Sequence, residues 1–196
     1  MKYLFIFLIS ILTIGHSFCQ VNNVKFKANS TFINYNISLK KLVDSLKLDK
    51  RHAKIYVSKY KYLLSIVIDN KTIKSYSIVL GTNPIDDKLR EGDRCTPEGV
   101  FKIKAKYPHK SWSKFIWFDY PNEASWKKHS QAKKDKKIPM NSTIGGDVGI
   151  HGVPVGADSA IDNKHNWTWG CVSLKNKDIN EIYDFVFVGM TVEIEK

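Results

Sequence analysis

The chain has 196 residues, with 31 lysines and arginines against 19 aspartates and glutamates, and its formal net charge is +12. Beyond the N-terminus, no run approaches the roughly eighteen consecutive apolar residues of a membrane-spanning helix, which excludes an integral membrane protein and favours a soluble mature chain. Removal of an N-terminal signal would leave about 175 residues, a length that fits one domain with its own hydrophobic core.

Residues 1–20, MKYLFIFLISILTIGHSFCQ, have the three-part layout of a secretory signal: the basic Lys2, an apolar run, and then small or polar residues. We expect cleavage near Cys19 and export to the periplasm or cell envelope. Lipidation of Cys19 is the alternative, but His16 and Phe18 make a poor lipobox.

The basic excess remains after this segment is removed. Without Lys2 the chain has 30 basic and 19 acidic residues, a formal charge of +11. Such an excess favours anionic partners without identifying them. For an exported protein, an anionic cell-wall polymer or a peptide-bearing glycan is more available than nucleic acid, and we expect no nucleic-acid partner. The ordinary surface charge of a lysine-rich proteome explains the excess equally well.

Residues 21–52 form an N-terminal extension in which one helix is predicted. Ser38 is a typical N-cap residue, and the apolar residues after it follow the spacing of an amphipathic helix. These apolar residues are Leu39, Leu42, Val43 and Leu46. We expect the helix to pack on the domain as an accessory element.

Residues 53–196 form the main domain, which begins with short β-rich runs. Three of them, AKIYVSK, YLLSIVID and TIKSYSIVLG, are separated by turn residues and predict an antiparallel meander. The stretch 81–99 is rich in turn formers and long for a hairpin, so we expect it to border a site. GVFKIKAK then alternates as a fourth strand.

Residues 107–146 differ from their surroundings in composition. They contain Trp112, Trp117 and Trp126 and a basic run, HSQAKKDKK. Aromatic residues among lysines are typical of a nucleic-acid or glycan platform, but a partly packed insertion with a solvated basic tip is the simpler interpretation. Such an insertion is also a candidate lid.

The C-terminal part returns to a β pattern. In GGDVGIHG, strand alternation places His151 on the opposite face from Ile150. Asn176 can cap a helix, and MTVEIEK alternates as a final strand. The apolar face of that helix would consist of Ile179, Ile182, Tyr183 and Val186. The sum predicts a mostly β (α+β) domain with one or two packed helices.

His151 and Cys171 have the side chains that covalent catalysis needs. A thiol at its usual pKa of about 8.5 is slightly ionised at neutral pH, and a neighbouring imidazole can take its proton to give the nucleophilic thiolate. Gly152 leaves the backbone beside the histidine accessible, and Gly170 permits a tight turn whose amides can point at a developing oxyanion. Thr168 could hydrogen-bond within that turn.

Residue type alone leaves other interpretations open. Cys95 and Cys171 remain after processing, and in an oxidising compartment such a pair can form a disulfide. His151 could be a structural histidine at a strand end, and His165 an ordinary solvated one. The histidines are scattered without metal-binding spacing, so we expect neither a metal nor another cofactor.

Three motifs occur in an order that resembles a known family. They are GDRCTPEGVFKI at 92–103, IHG at 150–152 and TWGCVSL at 168–174. Together they resemble the L,D-transpeptidase catalytic domain of the YkuD type, and the resemblance covers about residues 53–195. It implies a β-sandwich-like fold and an exported enzyme that acts on peptidoglycan. Thr96, Pro97 and Gly99 match a structural element beside the cleft.

The resemblance also implies roles for particular residues. Cys171 would be the nucleophile and His151 the base that activates it. Gly152 would orient the imidazole, and the amides of Gly170 and Cys171 would form part of the oxyanion hole. The implied reaction attacks the carbonyl before the terminal D-alanine of a stem tetrapeptide, releases D-alanine from a thioester acyl-enzyme, and transfers the acyl group to an acceptor amine.

The chain departs from the family pattern close to the nucleophile. Many members have histidine or arginine where Trp169 stands, and arginine or asparagine where Ser173 stands. The missing arginine removes an obvious partner for a substrate carboxylate, so the donor-binding residues and the acceptor preference stay open. A disulfide between Cys95 and Cys171 would silence the enzyme, and the variable position of Cys95 in the family's motif disfavours a permanent bridge.

Two other functions compete with transpeptidation. An L,D-carboxypeptidase or an endopeptidase would use the same scaffold, and a non-catalytic cell-wall-binding module would account for the charge and the tryptophans. We expect a monomer whose partners are the donor and acceptor stem peptides of peptidoglycan.

Overall fold

The computed structural model describes residues 32–196. The predicted signal segment 1–20, with Cys19, lies outside the described residues. Between 32 and 196, none of the helices combines the length and the apolar character that crossing a membrane requires.

Eight strands and four short α-helices make up the described chain, so the predicted mostly β class is confirmed. The strands are β1 (Ala53–Ser58), β2 (Leu63–Ile68), β3 (Lys71–Ser77), β4 (Gly99–His109), β5 (Ser113–Phe118), β6 (Gly149–His151), β7 (Val172–Ser173) and β8 (Thr191–Glu195). The helices are α1 (Leu39–Ser45), α2 (Glu123–Lys134), α3 (Ser159–Asp162) and α4 (Asn176–Phe185), with a 3₁₀ turn at Lys50–His52.

The strands follow the order β3-β2-β1-β8-β4-β5-β6-β7. The first three form the predicted antiparallel meander. The C-terminal strand β8 inserts between β1 and β4, parallel to β1 and antiparallel to β4. Its alternating pattern buries Val192 and Ile194 and leaves Thr191 and Glu193 partly exposed. The last strand in sequence therefore joins the meander to the half of the sheet that carries the site.

The segment 107–146 is not one insertion, and this corrects the sequence interpretation. Residues 107–118 belong to the sheet, because β4 continues to His109 and β5 pairs with it. Proline disfavours a strand because it has no N–H to donate, and the sequence therefore argues against a strand at Pro108. However, β8 pairs with β4 at 99–102 alone, so β4 near Pro108 pairs with β5 on one side and has none of the described strands on the other. Beyond β5, α2 contributes the basic residues that the sequence placed at a tip.

Both predicted helices, α1 and α4, are present where the sequence placed them, but the predicted cap of α4 is wrong. Ser38 caps α1 by accepting a hydrogen bond from the Lys41 N–H at 3.2 Å. Asn176 is the first residue of α4 and not its cap. The Asn176 N–H donates to Asp158 Oδ1 at 3.0 Å, so a distant carboxylate supplies the acceptor that a cap residue would have provided.

Candidate active site

A cavity of about 730 Å³ opens where β5, β6 and β7 lie side by side. His151 and Cys171 both line it, together with residues from both ends of the 107–146 segment and from the 81–99 loop. The loop and the segment that the sequence singled out therefore do border one site.

Strand pairing explains how two residues twenty positions apart meet. The strands β6 and β7 are parallel, with Ile150 opposite Val172 and His151 opposite Ser173. Continuing this register by one step places Cys171 beside Gly149. Side chains two positions apart on a strand share a face, so the imidazole and the thiol lie on the same face of the sheet.

His151 is 2% exposed, and its Nδ1 lies 2.7 Å from the Gly152 carbonyl oxygen. A carbonyl oxygen can only accept a hydrogen bond, so Nδ1 carries the proton and Nε2 is left as the basic nitrogen. Burial lowers the pKa of His151 from 6.5 to about 4, against the opposing effect of the Gly152 hydrogen bond. The imidazole is therefore neutral at physiological pH.

Aromatic rings surround the His151 imidazole. Trp112 stacks on it with ring centroids 4.5 Å apart, Phe115 lies parallel to it at 5.8 Å, and Trp167 meets it edge-on at 5.4 Å. His109 stacks on the outer side of Trp112 at 4.3 Å. These rings account for the desolvation of His151 and hold its plane in one orientation.

Cys171 precedes β7, and its residue is partly exposed. Its Sγ lies 3.6 Å from the Asp147 carbonyl oxygen, a distance at which the thiol can donate a hydrogen bond. Burial raises the pKa of the thiol to about 11, although a backbone hydrogen bond from Gly149 and the charge of Lys88 oppose the shift. The resting pair is thus a thiol and a neutral imidazole, not an ion pair.

The turn before Cys171 is held by Thr168, which the sequence named as a hydrogen-bonding candidate. Thr168 Oγ1 donates to the Cys171 carbonyl oxygen at 2.7 Å and accepts from the Gly170 N–H at 3.2 Å. This changes the oxyanion prediction, because the Gly170 amide is already bonded. The Cys171 N–H is left as the candidate donor of the turn.

Both glycines beside the pair are required by close packing. Gly170 has a φ of +137°, and a Cβ there would lie 2.6 Å from the Cys95 carbonyl oxygen. A Cβ on Gly152 would lie 2.2 Å from Asn176 Oδ1 and 2.6 Å from the Trp112 carbonyl oxygen. Gly152 also donates its N–H to Trp112 O at 3.0 Å, so it links the histidine backbone to the aromatic wall.

The other sequence candidates lie outside the reacting pair. Cys95 and Cys171 are free thiols in the structure, and the buried Cys95 donates to the Asp93 carbonyl oxygen at 3.4 Å. Thr96 is buried and accepts from the Gly81 N–H at 3.1 Å, a structural contact. His165 is exposed and is not part of the cavity wall. Across residues 32–196, no cluster of His, Cys, Asp and Glu is arranged to hold a metal ion.

Sequence reasoning missed Lys88 as a cavity residue and did not connect Trp112 or Trp167 with His151. The tryptophans come from segments far apart in the chain. In the sequence, Lys88 cannot be distinguished from the many solvated lysines. Its position in a loop that we expected to border a site was the single local indication of a role in the cavity.

A model of the YkuD family, the L,D-transpeptidase catalytic domain, matches residues 52–194. The chain belongs to this family. The YkuD match begins with the 3₁₀ turn before β1 and ends within β8, so it includes the whole sheet. No curated relative matches the chain.

Solved structures show the same YkuD fold. The helical cell shape determining protein Pgp2 from Campylobacter jejuni is 24% identical, with a TM-score of 0.55, over 74% of this chain and 47% of that chain. Bdellovibrio bacteriovorus Bd1075 is 19% identical, with a TM-score of 0.52, over 74% of this chain and 48% of that chain. The chain thus spans about half the length of each protein.

Proposed function

We propose that this protein is an exported cysteine L,D-transpeptidase that acts on the stem peptides of peptidoglycan. Cys171 is the nucleophile, His151 is the general base, and donor and acceptor stem peptides are the substrates. Membership in the YkuD family supports the class of enzyme. The observation that carries the catalytic assignment is that a neutral imidazole and a thiol share one strand face and one cavity.

In the first step, Cys171 Sγ forms a bond to the carbonyl carbon that precedes the terminal D-alanine, while the thiol proton passes to His151 Nε2. Negative charge moves to the carbonyl oxygen, where the Cys171 N–H can donate a hydrogen bond. Collapse of this intermediate breaks the peptide C–N bond, and the imidazolium gives its proton to the departing amine. D-alanine leaves and a thioester remains on Cys171.

In the second step, the amine of an acceptor stem peptide attacks the thioester carbonyl, and His151 takes a proton from that amine. The thiol is regenerated when the C–S bond breaks and Sγ receives the proton. Water in place of the amine would release a tripeptide. Aromatic residues on the cavity wall, Trp112, Trp117 and Trp167, limit the access of water to this acyl-enzyme.

The neutral resting pair has a consequence for this mechanism. With a His151 pKa of about 4 and a Cys171 pKa of about 11, proton transfer in the free protein is uphill. A substrate that places its carbonyl beside Sγ couples the transfer to C–S bond formation, so the thiolate is generated when it is used.

Incubation of the mature protein with a stem tetrapeptide, followed by mass spectrometry of the products, tests the proposal. We expect release of D-alanine, a cross-linked dimer, and a thioester adduct on Cys171. Tripeptide without dimer would establish an L,D-carboxypeptidase instead. Unchanged tetrapeptide with a reduced Cys171 would contradict both activities and favour a wall-binding module.

Matched cysteine variants show whether one thiol carries the activity. Cys171→Ala should abolish turnover and the adduct, whereas Cys95→Ala should keep both, since Cys95 donates to a backbone carbonyl away from the wall. A Cys171→Ala protein that still released D-alanine would overturn the nucleophile assignment.

A further inference from the structure

Lys88 lies in the 81–99 loop and has a side chain that is 4% exposed, although it lines the cavity. Its Nζ donates to Asp93 Oδ1 at 2.8 Å and to the Arg90 carbonyl oxygen at 3.1 Å. An ammonium group has three N–H donors, so these two bonds leave one for another acceptor. Of the described residues that line the cavity, Lys88 is the single lysine, and none is an arginine.

Backbone N–H groups of its own loop fix the Asp93 carboxylate in place beside Lys88. Its Oδ2 accepts from the Leu89 and Arg90 N–H groups at 2.8 and 2.9 Å, and its Oδ1 also accepts from the Cys95 N–H at 3.1 Å. Burial alone would raise the pKa of Asp93, but these hydrogen bonds and the one from Lys88 lower it. Asp93 therefore stays ionised and fixes the Lys88 ammonium in place.

Two further lysines brace the loop that carries Lys88. Lys59 is buried and binds the Asp86 carbonyl oxygen at 2.7 Å and Glu98 Oε1 at 2.8 Å. Lys128 on α2 pairs with Asp87 and donates to the Glu98 carbonyl oxygen at 2.6 Å. Lys88 is consequently held before any ligand arrives, which lowers the entropic cost of using it for binding.

The ammonium lies beside the turn of the nucleophile. A Cβ placed on Gly170 would be 3.9 Å from Lys88 Nζ, and Gly170 is bonded directly to Cys171 in the chain. In a tetrapeptide, the terminal carboxylate is only a few covalent bonds from the carbonyl that the thiol attacks. A peptide in position for attack can therefore place its terminal carboxylate near this side of the cavity.

We propose that Lys88 binds the terminal carboxylate of the donor peptide, and so selects substrates that end in a free D-amino acid next to the scissile bond. The inference rests on the proposed function of the same site. Ser173, where the sequence has no cation, is fully buried and donates to the Gly152 carbonyl oxygen at 3.2 Å. It does not line the cavity, whereas Lys88 does.

Two carboxylates also line the cavity, and they restrict where an anionic group can bind. Glu91 accepts a hydrogen bond from Thr143 Oγ1. Asp147 follows the glycine pair 145–146 in the chain. Both would repel a substrate carboxylate. Among the charged groups that line the cavity, Lys88 is therefore the favourable contact for a carboxylate, and the acidic residues better suit an amine.

The test compares a stem tetrapeptide ending in D-alanine with the same peptide ending in D-alaninamide. We expect the wild-type protein to favour the acid in kcat/KM by about 10- to 100-fold, because a hydrogen bond to a charged group is lost with the amide. In Lys88→Met this ratio should fall towards one. An unchanged ratio in Lys88→Met would overturn the proposal.

A second role for Lys88, stabilisation of the Cys171 thiolate, predicts a different pattern. It would lower kcat for acid and amide equally and slow alkylation of Cys171 by iodoacetamide. The Lys88 charge opposes the rise in the Cys171 pKa, so we expect slower alkylation in Lys88→Met, but by no more than about threefold, with the larger change in the acid-to-amide ratio. Equal losses with both peptides and a large loss of alkylation would count against carboxylate binding.

Two controls keep the outcome interpretable. Lys88→Met/Asp93→Asn removes both members of the ion pair, so it avoids an unpaired buried carboxylate if the single variant folds poorly. Calorimetric binding of the acid and amide peptides to Cys171→Ala measures the preference without turnover. A preference for the acid that disappears with Lys88→Met would support this inference even if the transpeptidase proposal fails.

Discussion

Two regions of this protein bury titratable groups in opposite ways. In the cavity, the His151 imidazole contacts a carbonyl oxygen and aromatic rings, and burial favours the neutral form. Outside the cavity, the N-terminal extension contacts β3 and α4 through a second set of polar residues, which we name the Glu181 cluster. It consists of Tyr35, Lys74, Tyr76, Asp178 and Glu181.

Glu181 remains charged, and its carboxylate oxygens accept three hydrogen bonds. Glu181 accepts from Lys74 Nζ at 2.7 Å, from the Tyr76 hydroxyl at 2.8 Å, and from the Leu39 N–H at the start of α1 at 2.6 Å. Burial alone would raise the pKa of Glu181, but these hydrogen bonds lower it. The carboxylate therefore stays ionised and attaches the extension to the sheet.

The two regions show how burial can serve either to attach the extension or to keep a titratable group neutral. In the Glu181 cluster, the hydrogen bonds to Glu181 stabilise its charged form, so this carboxylate resists protonation. His151 and Cys171 lose hydration without gaining an ionic bond, so they stay neutral, which is the resting state that the proposed proton transfer requires. Substitutions in one region, with measurements on the other, show whether the two kinds of burial are independent.

The largest expected effect is on turnover in His151→Gln. We expect a loss of about 10²- to 10⁴-fold, because the general base is removed while glutamine can still donate to the Gly152 carbonyl oxygen. His129→Gln is the matched control, since His129 is also buried and its Nδ1 lies 2.6 Å from the Leu89 carbonyl oxygen. Equal losses in both variants would mean that His151 has a structural role only.

The next effect is on stability in Lys74→Met. Removal of the cation leaves the partly exposed Glu181 carboxylate without its ionic partner, which should lower the free energy of unfolding by about 3 kcal/mol in urea titration. The double variant Lys74→Met/Glu181→Gln should lose less. The rate of Cys171 alkylation in the folded protein should be unchanged, and a fall in that rate would show that the two regions are coupled.

The pH dependence of stability should distinguish the two kinds of burial. The pKa of His151 falls from 6.5 to about 4 on folding, so its contribution is complete above pH 6.5 and is lost as the pH falls towards 4. This shift corresponds to about 3 kcal/mol. Urea titrations at pH 4 and pH 7 measure how much the free energy of unfolding falls at the lower pH. This fall should be smaller for His151→Gln than for wild type, and an equal fall would contradict the assignment of the lowered pKa to His151.

The smallest expected effect is in Tyr35→Phe. Its hydroxyl donates to Asp178 at 3.0 Å, and its loss should lower the free energy of unfolding by about 1 kcal/mol with no change in turnover. Tyr60→Phe is the control because Tyr60 is 84% exposed. Equal stability of the two variants would show that the Tyr35 contact does not help to attach the extension.

That His151 and Cys171 belong to one candidate site was predictable from sequence because the signal is local. The strand alternation of GGDVGIHG and the Gly-Cys turn at Gly170 are properties of neighbouring residues, and so are the apolar spacings of α1 and α4. The extent of the sheet was less predictable, since Pro108 is compatible with a strand only where one side is open. The Asn176 cap failed for a similar reason, because Asp158 supplies the acceptor from outside α4.

The secondary-structure elements, the candidate nucleophile and base, and the family could be predicted from the amino-acid sequence, since each depends on residue types at short spacings. The protonation of the candidate site is set by the tertiary structure. The pKa values of His151 and Cys171 depend on burial among Trp112, Trp167 and other residues distant in the chain. It also decided the position of Lys88, since a lysine becomes a fixed binding group only when its carboxylate and its loop are held around it.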